Sequence, residues 1–203
     1  LGAYSLYNNT TASDNTAVGY RTGYANTTGT ITAVGAYTLD ANTTGAGNAA
    51  VGAYALTNNT TGNYNSGFGE GALAENTTAS NNTAVGYQAG YSNTTGYITA
   101  VGAGALLSNT TGGGNFAFGG TVPGSYNAAL YANTTGANNA AFAGGALQAN
   151  TTGGSNAAFG VGALYNNTTA SSNTAVGYQA GYSNTTGSLN TRSEEHTSEL
   201  QSL

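Results

Sequence analysis

The sequence predicts an all-β fold, a β-solenoid of the β-roll or β-helix type with about eleven coils of 17 residues. The motif Asn-Thr-Thr recurs at intervals of 17 residues, with two intervals of 16 and one of 24. Seventeen residues are too few for two helices, but they suit two short strands and two turns, with coils stacked about 4.8 Å apart. The motifs start at Asn9, Asn26, Asn42, Asn59, Asn76, Asn93, Asn109, Asn133, Asn150, Asn167 and Asn184.

The first predicted strand of each coil reads Asn-x-Ala-[Val/Phe]-Gly, with Ala or Gly third and Val or Phe fourth. Neighbouring residues on a strand face opposite sides. We expect the larger residues to form the core, and the small ones to mark a close approach of another chain. A charge in this core, as in Val51→Asp or Val85→Asp, is then expected to disrupt the rod. The predicted core column is Val18, Val34, Val51, Phe68, Val85, Val101, Phe118, Phe142, Phe159 and Val176.

The second predicted strand is the Ala-Leu pair, for example Ala55-Leu56. In three coils Gly replaces this Leu, at Gly23, Gly90 and Gly181, and two Tyr residues accompany each change. We expect an aromatic ring to cover the space of the missing Leu. The same six rings are candidate glycan contacts, because Tyr stacks on sugars and repeats present many weak sites at once; packing between strands is the alternative interpretation. They are Tyr20, Tyr24, Tyr87, Tyr91, Tyr178 and Tyr182.

The Asn-Thr-Thr-Gly segment has turn chemistry, because Asn forms Asx turns and Gly supplies positive φ. Stacked coils then place Asn over Asn in an amide ladder along an outer edge of the rod. Asn-Thr-Thr also fits the Asn-x-Thr acceptor of N-glycosylation. Turn chemistry alone accounts for the motif in a bacterial or viral host, whereas glycosylation requires a eukaryotic secretory pathway. Four further acceptors precede Asn-Thr, namely Asn8, Asn58, Asn81 and Asn166.

The repeats are predicted to occupy residues 1–191. An insertion loop is expected at 120–127, around Pro123. The chain starts with Leu1 within a partial repeat, and we expect both natural ends to be missing. Residues 192–203 break the repeat and resemble a translated sequencing adapter, so we interpret them as a non-native tail.

Charge and composition argue against several classes of function. The formal net charge is −5. Without residues 192–203, one basic residue, Arg21, stands against Asp14, Asp40, Glu70 and Glu75, a net charge of −3. Nucleic acid and anionic lipid require clustered Lys and Arg, and a membrane span requires about 18 consecutive apolar residues. We therefore expect neither nucleic-acid binding nor membrane insertion.

Catalysis is not expected either. Acid–base and nucleophilic chemistry need His, Cys, Lys or paired carboxylates, and the repeats offer only Glu70 and Glu75 close together in sequence. Calcium-binding β-rolls carry Asp in every repeat, whereas Asp occurs here only at Asp14 and Asp40. The sequence therefore predicts a non-enzyme with no metal or cofactor.

A single coil of this kind buries little apolar surface relative to the entropy lost on ordering it. Association of several chains along the small-residue column would bury more. We therefore expect self-association, with a homotrimer favoured.

The segments Asn-Thr-Ala-Val-Gly-Tyr-Gln-Ala-Gly-Tyr-Ser-Asn-Thr-Thr-Gly at 82–96 and 173–187 resemble tandem repeats of bacteriophage tail-fibre proteins and related bacterial surface proteins. Those proteins often end in an endosialidase-type chaperone domain, and nothing in residues 1–203 resembles one. The pattern is more loosely similar to the β-roll head of trimeric autotransporter adhesins, although its period is longer. The resemblance covers nearly all of residues 2–191, and it implies a trimeric fibre at a cell or virion surface.

The expected function is thus that of an extracellular or virion fibre segment, structural and adhesive, that presents a multivalent surface to cell-surface or host glycans. The first alternative is an N-glycosylated extracellular fibril or coat protein. The second is an ice-binding solenoid that uses stacked Thr residues.

Overall fold

A computed structural model of the chain describes residues 2–121 and 127–193. Within these ranges the strands form one parallel sheet whose order follows the sequence, and no helix occurs. The predicted all-β solenoid is confirmed. The strands are β1 (Thr16–Val18), β2 (Ile31–Val34), β3 (Asn48–Val51), β4 (Ser66–Phe68), β5 (Thr83–Val85), β6 (Ile98–Val101), β7 (Asn115–Phe118), β8 (Ala140–Phe142), β9 (Ala157–Phe159), β10 (Thr174–Val176) and β11 (Thr191–Ser193).

Equivalent residues of successive coils pair directly across this sheet. Between β2 and β3, Ala33 lies opposite Ala50 and Val34 lies opposite Val51. The register survives the short 16-residue interval between β1 and β2, where Ala17 pairs with Ala33. The repeat therefore sets the pairing, because each coil places the same residues over those of the coil before it.

The predicted core column is wrong, because the strands turn their small residues inward. Ala33, Ala50 and Ala84 are 0% exposed, whereas Val34 and Val51 are 37% and 40% exposed. Leu and Asn side chains from the rest of the coil occupy the interior opposite the sheet, and we infer that a strand residue larger than Ala has little room there. The outward-facing residues are again Val18, Val34, Val51, Phe68, Val85, Val101, Phe118, Phe142, Phe159 and Val176.

The predicted second strand is also wrong, because the Ala-Leu pair lies in a turn. Leu56 has φ 51°, a left-handed conformation that costs an L-residue about 1–2 kcal/mol. Its side chain is nevertheless 0% exposed, so burial offsets the backbone strain. The other Leu residues that are both buried and at positive φ are Leu39, Leu73, Leu106, Leu130, Leu147 and Leu164.

Gly23 and Gly90 take the place of this Leu without strain, at φ 61° and 60°. A Cβ atom at Gly23 would lie 2.6 Å from Cδ1 of Ile31, and one at Gly90 would lie 2.7 Å from Cδ1 of Ile98. In these two coils the space of the missing Leu is therefore filled by an Ile of β2 or β6, and the expected compensation by Tyr is wrong there. At Gly181 the nearest side chain to an added Cβ atom is that of Leu164, at 2.9 Å.

The Asn-Thr-Thr residues form the predicted ladder, but it lies inside the rod instead of along its outer edge. Nδ2 of Asn42 donates to Oδ1 of Asn26 at 2.7 Å and to the carbonyl of Gly45 at 3.0 Å. The side chains are fully enclosed because each amide satisfies its neighbour. The ladder residues with 0% exposure are Asn26, Asn42, Asn59, Asn76, Asn93, Asn109, Asn133, Asn150 and Asn167.

A second buried Asn column, which we did not predict, begins the strand segment of most coils. Oδ1 of Asn48 accepts the main-chain N–H of Asn65 at 2.9 Å, and its Nδ2 donates to the carbonyl of Gly62 at 2.8 Å. Every buried side-chain nitrogen and oxygen in the described ranges has a hydrogen-bond partner. The column comprises Asn48, Asn65, Asn82, Asn115, Asn139, Asn156 and Asn173.

The predicted insertion at 120–127 falls between β7 and β8, and residues 122–126 lie outside the described ranges. The coil closes across it, since the N–H of Ala129 donates to the carbonyl of Gly119 at 2.9 Å, as that of Ala55 does to Gly52 at 3.2 Å. Of the predicted tail, only Arg192 and Ser193 are described, as part of β11; residues 194–203 lie outside the described ranges.

Candidate functional site

The outer face of the sheet carries an apolar band, which we call the Val/Phe stripe and define by the ten outward residues of the fourth strand position, from Val18 to Val176. Towards its C-terminal end, Phe142 stacks on Phe118 and on Phe159, with ring centroids 5.0 and 4.9 Å apart. Phe142 is 36% exposed and Val176 is 51% exposed. The second outward residue of each repeat strand, from Thr16 to Thr174, is uncharged in every case. The whole face therefore offers shape and apolar surface but no charge.

The six predicted glycan-contact Tyr residues lie on the surface beyond the end of the sheet strands, in three separate coils. Tyr20, Tyr87 and Tyr178 are 44%, 54% and 55% exposed. Their partners Tyr24, Tyr91 and Tyr182 are half-buried. The structure therefore places one exposed and one half-buried ring in each of these coils, and it does not gather the six rings into a single site.

The half-buried rings have neighbours that the sequence did not reveal. Tyr24 stacks on Tyr7, with centroids 5.3 Å apart, and Tyr182 stacks on Tyr165 at 4.9 Å. Tyr91 instead lines an open cleft. Two of the three half-buried rings thus have one face covered by another ring, as the packing interpretation expected. Tyr182 also lines an open cleft near the end of the described chain.

The most highly charged contact on this surface joins Arg21 to Asp40. The Nε and one terminal nitrogen of Arg21 donate to the two carboxylate oxygens, both at 3.0 Å. The guanidinium lies 4.2 Å from the ring centroid of Tyr24. The hydrogen bond to Asp40 raises the pKa of Arg21 above its ordinary value, so the guanidinium stays charged under all ordinary conditions.

Sequence reasoning missed this contact. The two residues are 19 positions apart, which is one coil and a few residues, and the period therefore carried the signal. Residues of adjacent coils can be matched with each other only when the positions of the turns are known. Because the Ala-Leu pair was predicted to be a strand and not a turn, the contact between Arg21 and Asp40 was not found.

The predicted glycosylation acceptors divide into two groups. Nine Asn side chains of the Asn-Thr-Thr motif are 0% exposed and bonded within the ladder, so the folded coil has no room for a glycan on them. Asn9 and Asn184, at the two ends of the ladder, are partly exposed. Asn8 and Asn81 are exposed, and Asn58 and Asn166 are half-buried.

The carboxylates do not converge on a reactive arrangement. Glu70 is exposed, and Glu75 accepts a hydrogen bond from Nδ2 of Asn58 at 3.1 Å. In the described part of the chain, no three His, Cys, Asp or Glu side chains lie close enough together to hold a metal ion. In the same residues, no helix has the length and hydropathy of a membrane span.

Comparison with known proteins gives no further assignment. The chain matches no protein-family model, no curated protein and no solved structure. The surfaces described above are therefore the basis for any functional argument.

Proposed function

We propose that this chain is a structural segment of an extracellular or virion fibre, in which rods associate side by side through the Val/Phe stripe. The observation that carries this proposal is the half-exposed Val or Phe in coil after coil along the rod. A contiguous exposed apolar face of several hundred Å² often marks an interaction site, and leaving it in water costs free energy. A rod that hides the face against copies of itself removes this cost.

The size of the stripe favours more than a simple pair. Ten strands spaced by about 4.8 Å and about 10 Å of outward surface per strand give roughly 450 Å². Stable two-protein interfaces bury about 800 Å² per partner. The stripe alone is too small for such a pair, and a rod that contacts two neighbours around a common axis also buries the margins of the face. This supports the homotrimer.

The surface through which the trimer would form is not the small-residue column that was expected from the sequence. The small-residue column fills the interior of its own coil, so another chain has no access to it. Three rods with their sheets turned toward a common axis would bring the stacked rings of Phe118, Phe142 and Phe159 together. The uncharged face imposes no repulsion between identical chains.

The adhesive part of the proposal concerns the Tyr residues beyond the ends of the sheet strands. With the stripe buried, each rod still presents Tyr20, Tyr87 and Tyr178 outward, and a trimer presents each of them three times. Aromatic rings next to amide and hydroxyl groups suit weak contacts with sugars, and repetition strengthens binding through avidity. Glycan-array binding of the full chain, lost in a Tyr20→Ala, Tyr87→Ala, Tyr178→Ala variant that keeps its oligomeric state, tests this part.

Sedimentation equilibrium of the full chain tests the assembly. We expect a trimer for the natural sequence and a monomer for Val51→Asp combined with Phe142→Asp, with the β-type circular dichroism retained. Thr61→Asp is the matched control, because Thr61 is exposed on the Asn-Thr-Thr turn away from the sheet, and it should remain trimeric. A natural chain that stays monomeric at its highest soluble concentration contradicts the proposal.

Fewer structural observations support the two alternative functions. An N-glycosylated coat would have to use the outer acceptors such as Asn8 and Asn81, and mass spectrometry of protein from a secreting eukaryotic cell tests it. An ice-binding face would have to use the second Thr of each turn, such as Thr44 or Thr61, which is exposed once per coil. Thermal hysteresis of the purified chain tests the second alternative.

A further inference from the structure

A cleft of about 290 Å³ opens on the surface where the Tyr residues lie. The residues that line it include two aromatic ones, Tyr54 and Tyr91, the acidic Glu70, the amide-bearing Gln88, and Gly71, which has no side chain. Pockets that enclose drug-sized ligands start at about 300 Å³. The size therefore suits one small chemical group better than an extended molecule.

The position of Gly71 corresponds to that of Arg21. Both belong to one column of turn residues with positive φ, 67° at Gly71 and 54° at Arg21. Main-chain hydrogen bonds connect the column coil by coil, since Tyr37 donates to the carbonyl of Tyr20 and Gln88 to that of Glu70. The column reads Arg21, Tyr37, Tyr54, Gly71 and Gln88.

Arg21 shows what this surface does with a guanidinium. Its charged group lies 4.2 Å from the ring centroid of Tyr24 and 5.9 Å from that of Tyr37, and it makes two hydrogen bonds to Asp40. Aromatic rings attract a cation through their quadrupole, and a carboxylate pairs with guanidinium through two parallel bonds. The chain thus holds a planar cation between rings and a carboxylate.

The Gly71 cleft has the same kinds of group but no cation. The chain has only two Lys or Arg residues, of which Arg21 is paired with Asp40 and Arg192 lies in the terminal strand β11. Neither is available to Glu70. The second carboxylate of this coil, Glu75, does not line the cleft and accepts a hydrogen bond from Nδ2 of Asn58 at 3.1 Å.

We propose that the cleft at Gly71 binds a guanidinium group supplied by an external ligand, with rings and a carboxylate that come from other positions of the coil than those around Arg21. Tyr54 and Tyr91 contact the flat cation, and Glu70 accepts its hydrogen bonds. The ring of Tyr54 is held in place, because it stacks on Tyr37 at 5.2 Å with an interplanar angle of 5°. The negative charge of the cleft disfavours anions, including acidic sugars. The proposal is independent of the trimer and of the glycan contacts.

Titration of the full-length chain with ethylguanidinium, followed by ¹H–¹⁵N correlation spectra, tests the proposal. We expect saturable shifts at the amides of Tyr54, Gly71, Gln88 and Tyr91, with a millimolar Kd typical of one exposed cation–π contact and one carboxylate. Ethylurea has nearly the same shape without the charge and should give no saturable shift. Methyl glucoside separates this site from a saccharide site.

Four variants sharpen the result. Gly71→Arg should abolish binding by filling the cleft from within. Arg21 has φ 54° in the same column, so the fold tolerates Arg in this conformation, although the new Cβ atom would lie 3.3 Å from Cγ of Gln88. Glu70→Gln and Tyr91→Leu should each raise Kd by about 2- to 5-fold. Glu75→Gln is the matched control for Glu70→Gln, because Glu75 does not line the cleft, and its Kd should not change.

Three results would overturn the proposal. They are the absence of any saturable shift with ethylguanidinium, binding of ethylurea or methyl glucoside as tightly as ethylguanidinium, and unchanged binding by Gly71→Arg. Thermal unfolding of each variant shows that the fold is retained, and Glu70→Gln, which changes an exposed side chain, remains informative if Gly71→Arg fails to fold.

Discussion

The interior of the rod has an amide side, formed by the Asn columns, and an apolar side, formed by the Leu residues of the turn. Both sides exclude solvent equally. Asn59 on the amide side and Leu56 on the apolar side are each 0% exposed, although they are only three residues apart. The amide of Asn59 donates to Oδ1 of Asn42 and to the carbonyl of Gly62. Leu56 makes only undirected side-chain contacts. Hydrogen bonds have direction and length whereas apolar contacts do not, so the amide side fixes register and the apolar side fills volume.

The two sides nevertheless share one space. In the two coils that are 16 residues long, an Ile stands where the second Asn column would continue, and Gly stands where the Leu would be. The main-chain N–H of Ile98 still donates to Oδ1 of Asn82 at 2.6 Å, while Cδ1 of Ile98 fills the volume beside Gly90. An apolar residue can therefore cross to the amide side only when the apolar side gives up a side chain.

The largest expected effect is a charge on the amide side. Asn109→Asp keeps the shape but removes the Nδ2 that donates to Asn93 at 2.8 Å and to Gly112 at 3.1 Å. An ionised carboxylate there faces two acceptors in a dry interior, and we expect a loss of at least about 3 kcal/mol in the free energy of unfolding. Urea denaturation measures it.

The stability of Asn109→Asp should depend on pH, and the direction of this dependence follows from the pKa of the new carboxyl group. Burial without a cation raises the pKa of the new Asp in the folded state. The variant is therefore closest to the natural chain below the ordinary Asp pKa of about 3.9 and loses stability as pH rises above it. Thr111→Asp is the control, because Thr111 is exposed two residues away. If both variants unfold at the same urea concentration at neutral pH, the ladder does not exclude water as described.

The next largest effect belongs to the apolar side. Leu56→Ala leaves a cavity and should cost about 2–5 kcal/mol. Leu56→Gly removes one more carbon, yet we expect it to be the more stable of the two by about 1 kcal/mol, because φ of 51° strains any residue with a Cβ atom. Thermal unfolding of the pair decides, and an Ala variant more stable than the Gly variant would show that the turn is not strained.

Sequence reasoning predicted the stacking of the coils and the Asn ladder, because both follow from the period alone. It failed to tell the inside of the strand from the outside. Alternation shows that Ala50 and Val51 face opposite ways but not which of them faces the core. The size of a side chain is a guide only when the core is wide, and here the Leu and Asn side chains from the other wall already occupy it.

The candidate sites were predicted less well for a related reason. The contacts between Arg21 and Asp40 and among Glu70, Gln88 and Tyr91 join residues of adjacent coils through turns with positive φ. Leu and Tyr rarely adopt that conformation, so propensity gave no indication of it at Leu56 or Tyr54. The positive-φ conformation recurs because the same turn is stacked in every coil.

A smaller effect is expected in the strand, where adding two methyl groups on the inner face can be compared with removing two from the outer face. Ala33→Val adds two methyl groups to the full interior and should cost about 1–3 kcal/mol. Val34→Ala removes the same two groups from the outer face, where Val34 is 37% exposed, and should cost less than about 1 kcal/mol in the monomer. Denaturation at low protein concentration separates this from any effect on assembly. The opposite ranking would restore Val34 to the core.

The smallest effect is expected outside both interiors, at Arg21→Met. The aliphatic chain still covers Tyr24, but both hydrogen bonds to Asp40 are lost. Because the pKa of Arg21 is raised in the folded state, the stability that Arg21 contributes is fully present below the pKa that it has in the unfolded state. This contribution is lost only at pH values above that pKa. The difference in Tm between the natural chain and Arg21→Met should thus stay constant from about pH 6 to about pH 10. It should shrink in high salt, because surface charges are screened; Tyr64→Leu, which carries no charge, should be insensitive to salt. A difference in Tm that salt leaves unchanged would mean that Arg21 stabilises this surface by packing on the rings and not by its charge.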